Sequence, residues 1–491
     1  MELGAVELPG SGQSLLTMSM PRRTIGILAC LLAFRVLATP NVILVMADDM
    51  GWAQTGYYDH PVLETPNLDA MAANGLRMDR FYSAAPQCST ARATVLTGRT
   101  NDRTGVATVG SSINKQEKTL STAFRNAGYT TAHFGKWHLN TVNTPDHPMP
   151  LSDPHNPGEL GFDYWLGETN QFNLDPLFSR NGTTERIEGE SSEILVDEAL
   201  AFIEQAHKQR RPAFVLIWYA SPHRPFEALD EDMAAFEGLP EASRVHHGEI
   251  VAMDRSIGML RQGLQDLGIA ETTLVWFTSD NGGLPTFDVT RASTGEVLPG
   301  VLPDSTGHLR GFKNSFYEGG IRVPGIIEWP GHLEPRISNF PASTLDMFPT
   351  LIEVAGLAPD DINDVHDGMS LVPVFDAEPP RRNQPIGFRV QGQLGWLDND
   401  YKLIYYRDYD KAMVDGVWDK EVFDSLTQEW ELYNLVDDPT EEHNLVERRP
   451  EITARMKAEL EAWNESVDRS AEGADYPEGR VLPSGRDEAE P

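Results

Sequence analysis

Three uninterrupted apolar stretches, each followed by polar residues, limit the folds open to this chain more than any other feature. They are Asn41–Ala47 before Asp48-Asp49, Ala213–Tyr219 before Ser221-Pro222-His223, and Leu274–Ser279 before Asp280-Asn281. Such runs are typical of strands buried on both faces of a parallel sheet. The intervening segments Ser192–Gln209 and His247–Leu267 carry apolar residues at helical spacing. The alternation predicts an α/β fold with a large, mixed but mostly parallel sheet sandwiched by helices.

The sequence changes character near residue 379, where Pro379-Pro380-Arg381-Arg382 is typical of a linker. A hairpin is predicted over Gly395–Tyr406, followed by a short strand at Glu431–Leu435 and an amphipathic helix over Pro450–Val467. We therefore divide the chain into a leader region (1–39), a large α/β domain (40–378), a smaller antiparallel α+β subdomain (379–470) and an acidic mobile tail (471–491).

The N-terminal region resembles a secretory leader. Arg22-Arg23 precede the apolar stretch Thr24–Phe34, and small residues follow at Val36-Leu37-Ala38. The stretch is too short to be a transmembrane helix, and no other segment is predicted to span a membrane. We expect translation to start at Met18 or Met20 and the protein to be periplasmic or secreted. A buried first helix and a lipid anchor at Cys30 are the alternatives.

The formal net charge of the 491-residue chain is −34. A surface this acidic repels nucleic acids and anionic membranes, so we exclude nucleic acid as a partner. An anionic substrate would need a locally basic site. The oligomeric state does not follow from the sequence.

Four polar residues follow two of the predicted strands: Asp48, Asp49, Asp280 and Asn281. In an open α/β sheet, ligands bind beyond the carboxyl ends of the strands. Three carboxylates and one amide form an all-oxygen set that suits Ca²⁺ or Mg²⁺ better than zinc. The mostly anionic set favours Ca²⁺, with Mg²⁺ as the alternative.

Cys88 is the only cysteine that remains once the leader is removed, so it has no partner for an internal disulfide. It precedes a predicted helix, and Arg92 lies four residues on, at helical spacing. A cation and a helix N-terminus predict a depressed thiol pKa and a reactive cysteine. The alternative is a buried structural cysteine.

Around these residues the chain resembles the type I, formylglycine-dependent sulfatases of the alkaline-phosphatase-like superfamily. The matching motifs follow the family's order from residue 41 to about residue 350, and two C-terminal segments are also similar. They are Asp48–Trp52, Cys88–Arg92 with Leu96–Arg99, Gly128–Leu139, Ser221–Pro225, Asp280–Gly282, Leu309–Lys313 with Glu318–Pro324, Asn399–Leu403 and Glu431–Leu435. Thr90 stands where the family usually has Pro or Ala, within the segment that the maturation enzyme reads.

The resemblance implies that a formylglycine-generating enzyme oxidises Cys88 and that the product cleaves a sulfate ester, with a sulfated small molecule or glycan as substrate. It implies a divalent metal on Asp48, Asp49, residue 88, Asp280 and Asn281. The remaining roles are also implied by position. Arg92 would orient the nucleophile, Lys136 and Lys313 would hold sulfate oxygens, His138 would be the base that releases sulfate, and His223 would protonate the leaving oxygen.

Two rivals remain open. One is a phosphatase or phosphonate monoester hydrolase of the same superfamily, and the other is a sulfate-ester-binding protein whose Cys88 is never oxidised.

The sequence also suggests positions for several residues outside these motif roles. Arg99 and Arg103 contact substrate or brace the active loop. Asn170 and Gln171 precede an apolar turn, with a place in the pocket lining as the alternative. His246 and His247 are expected to be solvated, and Trp396 is expected in the core, with a reach into the site as the alternative.

Overall fold

The structure is a computed structural model that describes residues 39–141, 148–284, 289–290, 297–298, 305–407 and 428–483. The predicted leader, with Met18, Met20 and Cys30, lies outside the described residues, as do residues 484–491. The chain from Thr39 onward forms one compact unit, so the boundary near residue 379 stays a prediction. Among the described helices, none is both long enough and apolar enough to cross a bilayer.

The strands lie in one large sheet and three smaller ones. They are β1 Asn41–Ala47, β2 Leu76–Met78, β3 Phe81–Tyr82, β4 Thr130–Lys136, β5 Tyr164–Glu168, β6 Leu177–Arg180, β7 Thr183–Arg186, β8 Ala213–Trp218, β9 Thr273–Ser279, β10 Val289–Thr290, β11 Val297–Leu298, β12 Arg322–Val323, β13 Gly325–Glu328, β14 Arg336–Ser338, β15 Ala342–Ser343, β16 Ile386–Val390, β17 Gln393–Asp398, β18 Tyr401–Arg407 and β19 Gln428–Asn434.

The large sheet has ten strands in the order β14-β2-β13-β9-β1-β8-β4-β5-β6-β7. Its centre is parallel: β1 pairs with β8 and β9, and β4 pairs with β8 and β5. Antiparallel pairs flank this centre, between β13 and β9 on one side and between β5 and β6 on the other. The predicted mixed, mostly parallel sheet is confirmed.

Helices cover both faces of this sheet, and the last described helix of the chain packs instead on the C-terminal sheet. The helices are α1 Pro66–Asn74, α2 Cys88–Thr97, α3 Leu120–Asn126, α4 Ser191–Lys208, α5 Asp230–Met233, α6 Glu241–Asp266, α7 Glu318–Ile321, α8 Met347–Ala355, α9 Val372–Asp376 and α10 Pro450–Ala471. Alternate residues of β1 enter two hydrophobic cores. Val42 and Leu44 pack with α2, α3 and α8, whereas Ile43 and Val45 pack with α1, α4 and α6. This double burial explains the uninterrupted apolar run.

The C-terminal part contains the predicted antiparallel sheet, with the order β16-β17-β18-β19. One face packs Leu403 and Leu432 against Met456 and Leu460 of α10. The other face packs against residues of the large domain, including Tyr82 and Phe316. The smaller α+β part is therefore present and is joined to the large domain through a shared core.

Two elements differ from the predictions. Helix α6 begins at Glu241, six residues before the predicted start, because Pro240 precedes the helix and the apolar face already begins at Ala242 and Val245. The segment after α10, predicted to be mobile, packs against the large domain as far as it is described. There the Tyr476 hydroxyl donates to Glu117 Oε1 at 2.5 Å, and Asp475 accepts from Arg99.

Candidate active site

The site begins where β1 and β9 end side by side. These strands are parallel and in register, with Ala47 opposite Ser279, so the polar residues after each strand meet at one sheet edge. The backbone N–H of Asp49 donates to Asp280 Oδ1 at 3.1 Å. Asp49 has a φ of 67°, a left-handed conformation that costs free energy in a non-glycine residue. The strand-end contacts hold this strained turn in place.

Cys88 is the first residue of α2, and it is 2% exposed. Its Sγ lies 3.2 Å from Asp48 Oδ1 and 3.2 Å from Lys313 Nζ. Burial, followed by the carboxylates of Asp280 and Asp48, raises the pKa of the Cys88 thiol well above its usual value. The predicted depression of this pKa is therefore wrong, because the local sequence contains Arg92 but not the carboxylates brought in by distant strands.

Three buried cations balance the three aspartates. Arg92, one turn after Cys88, donates to Asp280 Oδ2 and to the carbonyl of Lys136, each at 2.9 Å. Against the effect of burial, a group of cations led by Lys136 holds the pKa of the Asp48 carboxyl well below its usual range. The cation–carboxylate contacts are Lys136 Nζ to Asp48 Oδ2 at 2.5 Å and Lys313 Nζ to Asp49 Oδ1 at 2.6 Å. The site is thus locally charge-balanced within a strongly acidic protein.

The two histidines lie at neighbouring strand ends. His223 Nε2 is 3.5 Å from Asp49 Oδ2, and the side chain is 11% exposed. Burial and the nearby Lys313 ammonium lower the pKa of His223 to about 4. His138 follows Lys136 by two residues at the end of β4, and its backbone N–H donates to the Thr169 carbonyl at 2.7 Å. It is buried and has a φ of 54°.

The donor set at this edge fits a hard divalent cation. Asn281 Nδ2 donates to Asp49 Oδ1 at 2.7 Å, whereas the buried Oδ1 of Asn281 has no hydrogen-bond partner among the described residues. An orphaned buried oxygen beside carboxylates is expected where a cation binds. Among the described residues, the only group of three or more His, Cys, Asp or Glu side chains close enough to hold a metal is Asp48, Asp49, Cys88 and His223.

The structure places the peripheral residues as follows. Arg99 bonds to Glu117 and Asp475, and Arg103 bonds to Asp367, so both arginines brace the segment that follows α2. Gln171 Nε2 is 3.4 Å from His223 Nδ1. Trp396 packs in the C-terminal core.

The prediction that His246 and His247 are solvated is wrong, because both are fully buried within α6. Burial lowers the pKa of His246 well below its usual value. His246 Nε2 lies 3.5 Å from Nε2 of Gln54, whose Oε1 accepts from the Gly51 N–H at 2.7 Å. Gln54, Asn173 and Glu249 support the site but escaped the sequence analysis, because no local pattern joins them to the motifs.

Comparisons with known proteins identify the family of this chain. The sequence profile of the Sulfatase family matches residues 40–357, and the profile described as N-sulphoglucosamine sulphohydrolase, C-terminal, matches residues 310–466. The chain therefore belongs to the sulfatase family. It is a sulfuric ester hydrolase.

Among the relatives, N-acetylgalactosamine-6-sulfatase of Canis lupus familiaris is 32% identical over 80% of this chain and 73% of its own length. Arylsulfatase A of Homo sapiens is 31% identical over 87% of each chain. Among solved structures, Ps i-CgsB in complex with k-i-k-neocarrahexaose superposes with a TM-score of 0.71 at 25% identity, covering 87% of this chain and 92% of that one.

Proposed function

We propose that this chain is an exported, metal-dependent sulfatase that removes sulfate from a sugar, with a formylglycine made from Cys88 as its nucleophile. The observation that carries the proposal is the position of Cys88. Its Sγ contacts a carboxylate of β1 and the Lys313 ammonium, beside the orphaned oxygen of Asn281. A nucleophile placed between metal donors and a cation could be activated by the metal, and the cation would attract a negatively charged sulfate ester to it.

The chemistry of a hydrated aldehyde explains why a cysteine is useful here. It carries two hydroxyls on one carbon: one takes the sulfuryl group as the alcohol leaves, and deprotonation of the other expels sulfate and restores the aldehyde. Thr90 lies in the maturation motif, and its hydroxyl donates to the Gln87 carbonyl at 2.8 Å inside the folded helix. The maturation enzyme must therefore read this segment before α2 forms.

Asp48, Asp49, residue 88, Asp280 and Asn281 would hold the metal. Ca²⁺ is favoured by the all-oxygen, mostly anionic protein set, with Mg²⁺ as the alternative. The bound ion would supply a Lewis acid that favours the deprotonated nucleophile.

The chain's own cations and histidines would do the remaining work. Lys136 and Lys313 would bind sulfate oxygens and neutralise the charge that grows in the transition state. Arg92 would orient residue 88, because it is fixed from both sides by Asp280 and the Lys136 carbonyl. His223 would deliver a proton to the leaving oxygen, and His138 would take the proton whose loss releases sulfate.

A sulfated sugar is supported by the names of the relatives, which include N-acetylgalactosamine-6-sulfatase. Export is supported by the apolar stretch Thr24–Phe34 behind two arginines. Periplasmic or secreted localisation follows from that leader.

The test has two stages. Protein made in a host with formylglycine-generating activity is digested with trypsin, and the peptide Phe81–Arg92 is weighed. We expect a mass that matches aldehyde in place of thiol. Initial rates are then compared on 4-nitrophenyl sulfate and 4-nitrophenyl phosphate, and sulfate release is measured from N-acetylgalactosamine 6-sulfate.

We expect the aryl sulfate to be cleaved much faster than the phosphate, and the activity to disappear with a chelator and return with Ca²⁺. A faster phosphate reaction would favour the phosphatase rival. A matured residue 88 with no sulfate turnover would favour the binding-protein rival.

A further inference from the structure

The ring of His223 is fixed from the side that faces away from the aspartates. His223 Nδ1 contacts the carbonyl oxygen of Arg224. A carbonyl oxygen can only accept, so Nδ1 carries the hydrogen in this contact. Gln171 Nε2 lies 3.4 Å from Nδ1 and packs against the ring, but two donor groups cannot hydrogen bond to each other. The other ring nitrogen, Nε2, therefore faces Asp49 and the centre of the site, where the imidazolium form, protonated on both nitrogens, could pass the Nε2 proton to a leaving oxygen.

Asn173 joins the two loops that make these contacts. Its Nδ2 donates to the Pro225 carbonyl at 2.9 Å and to Glu249 Oε1 at 3.0 Å. Asn173 lies two residues after Gln171, in the loop that follows β5, whereas Pro225 lies two residues after His223, in the loop that follows β8. One amide group thus links both loops to helix α6.

Glu249 is the anchor on α6. Its Oε1 also accepts from the Glu227 backbone N–H at 2.6 Å, so a single carboxyl oxygen binds residues of both loops. The Glu249 side chain is buried, and its Oε2 has no hydrogen-bond partner among the described residues. Burial, with the nearby Glu190 and Glu227 carboxylates, raises the pKa of Glu249 well above its usual value. Whatever its charge, Glu249 serves as a hydrogen-bond acceptor through Oε1.

A buried acid with an unpaired oxygen costs stability, because the buried atom has lost its hydrogen bonds to water. An apolar side chain at this position would avoid that cost but would release both loops. The contacts of Oε1 thus account for the presence of an acid where a hydrophobic residue would pack better.

We propose that Glu249 and Asn173 are positioning residues that hold the His223 ring with Nε2 towards the leaving oxygen. The inference rests on the proposed sulfatase function, in which His223 protonates that oxygen. The inference predicts that variants of these residues lose more kcat as the leaving group becomes more basic. A basic leaving group needs protonation most, because it departs poorly as an anion.

The experiment uses a series of aryl sulfates from 4-nitrophenyl sulfate to phenyl sulfate, cleaved by the matured, Ca²⁺-loaded enzyme. For Asn173→Ala and Glu249→Leu we expect kcat to fall about 10-fold or more on phenyl sulfate and only about 2-fold on 4-nitrophenyl sulfate, with KM little changed. Glu249→Gln keeps a neutral acceptor at Oε1 and is the matched control, so it should retain the wild-type profile.

A double-mutant cycle separates positioning from general damage. Once His223 is replaced by Ala, the further change Asn173→Ala should cost little on either substrate. If Glu249→Leu fails to fold, Asn173→Ala alone tests the same link, since this half-buried loop residue lies outside the hydrophobic cores.

Equal losses across the aryl series, or an undiminished effect of Asn173→Ala in the His223→Ala background, would overturn the inference while leaving the proposed function in place. Absence of wild-type sulfate turnover would instead overturn the proposed function, and this inference with it.

Discussion

Two clusters of buried charges in this protein have similar composition but different contacts. The site cluster consists of Asp48, Asp49, Arg92, Lys136, Asp280 and Lys313, and the interface cluster consists of Glu318, Arg322, Lys402 and Glu441. In the interface cluster, Lys402 Nζ lies 2.8 Å from Glu318 Oε1 and 2.8 Å from Glu441 Oε1. The Tyr82 hydroxyl donates to Glu318 Oε2, and the Glu318 N–H donates to Glu441 Oε2.

In the interface cluster each of the four carboxylate oxygens contacts a cation or a donor, with Glu441 Oε1 held by its ion pair to Lys402 and by no hydrogen bond. The site cluster instead lies beside Asn281 Oδ1, which has no hydrogen-bond partner among the described residues. Both clusters include residues of motifs that resemble the sulfatase family, since Glu318 and Lys402 each belong to one. Motif likeness alone does not separate a catalytic group from a scaffold group. The difference lies in whether donor atoms remain for a ligand.

The largest expected effect is the loss of activity in Cys88→Ala. Without the nucleophile, we expect kcat on 4-nitrophenyl sulfate to fall by at least about 1,000-fold. Because Cys88 adds little packing beyond its contacts with charged groups, the midpoint of thermal unfolding should change little. Full activity in this variant would show that the nucleophile is another group.

In the interface cluster, the matching change should damage stability and spare chemistry. Lys402→Met leaves the buried Glu441 carboxylate without its cation and leaves Glu318 with Arg322 as its cation partner, at 3.4 Å, so we expect the free energy of unfolding in urea to fall by about 3–5 kcal/mol. Activity per folded molecule should persist.

Lys208→Met is the matched control, because Lys208 pairs with Glu204 on an exposed helix face. It should cost less than about 1 kcal/mol. If both lysine variants lost the same stability, the interface cluster would not hold the C-terminal sheet.

The sheet and the aspartates of the site cluster were predictable because both depend on local patterns, whereas Lys136 and Lys313 were implied only by the family resemblance. Continuous apolar runs identify β1, β8 and β9, and residues that follow parallel strands must meet at one edge. The C-terminal hairpin was predictable for the same reason, since Asp398-Asn399-Asp400 separates two apolar stretches at β17 and β18.

What the sequence did not predict depends on contacts between distant segments. The pKa of Cys88 is set by strands about 40 and 190 residues away in the chain. The prediction that His246 and His247 are solvated was wrong, because α6 starts earlier than predicted. The helix places His246 against Gln54 and His247 against His60. Asp475 and Tyr476 lie in an acidic segment with no periodic pattern, yet Arg99 and Glu117 hold them in place.

A smaller effect should follow when the turn at Asp49–Gly51, which we propose holds the metal, loses a supporting hydrogen bond. Gln54 Oε1 accepts from the Gly51 N–H, two residues after the strained Asp49. Gln54→Leu removes this acceptor, so we expect Ca²⁺ affinity to fall about 10-fold while kcat recovers at saturating Ca²⁺. Calcium titration by calorimetry measures the Ca²⁺ affinity directly.

Gln262→Leu, on the exposed face of α6, is the control. Unchanged affinity in Gln54→Leu would mean that the strand-end contacts alone hold the turn.

The smallest expected effect concerns Glu249 and pH. Because its pKa is raised in the folded protein, the folded state binds the proton more tightly than the unfolded chain, and stability falls as pH rises above the unfolded value of about 4.3. The glutamine in Glu249→Gln cannot ionise. Its free energy of unfolding, relative to that of wild type, should therefore rise by about 1–2 kcal/mol between pH 5 and pH 8. Urea unfolding at the two pH values measures this difference.

The exposed control Glu237→Gln should change stability by less than about 0.5 kcal/mol at either pH. A constant gap between wild type and Glu249→Gln would mean that Glu249 is ionised in the folded protein as it is in the unfolded chain, which would contradict the raised pKa.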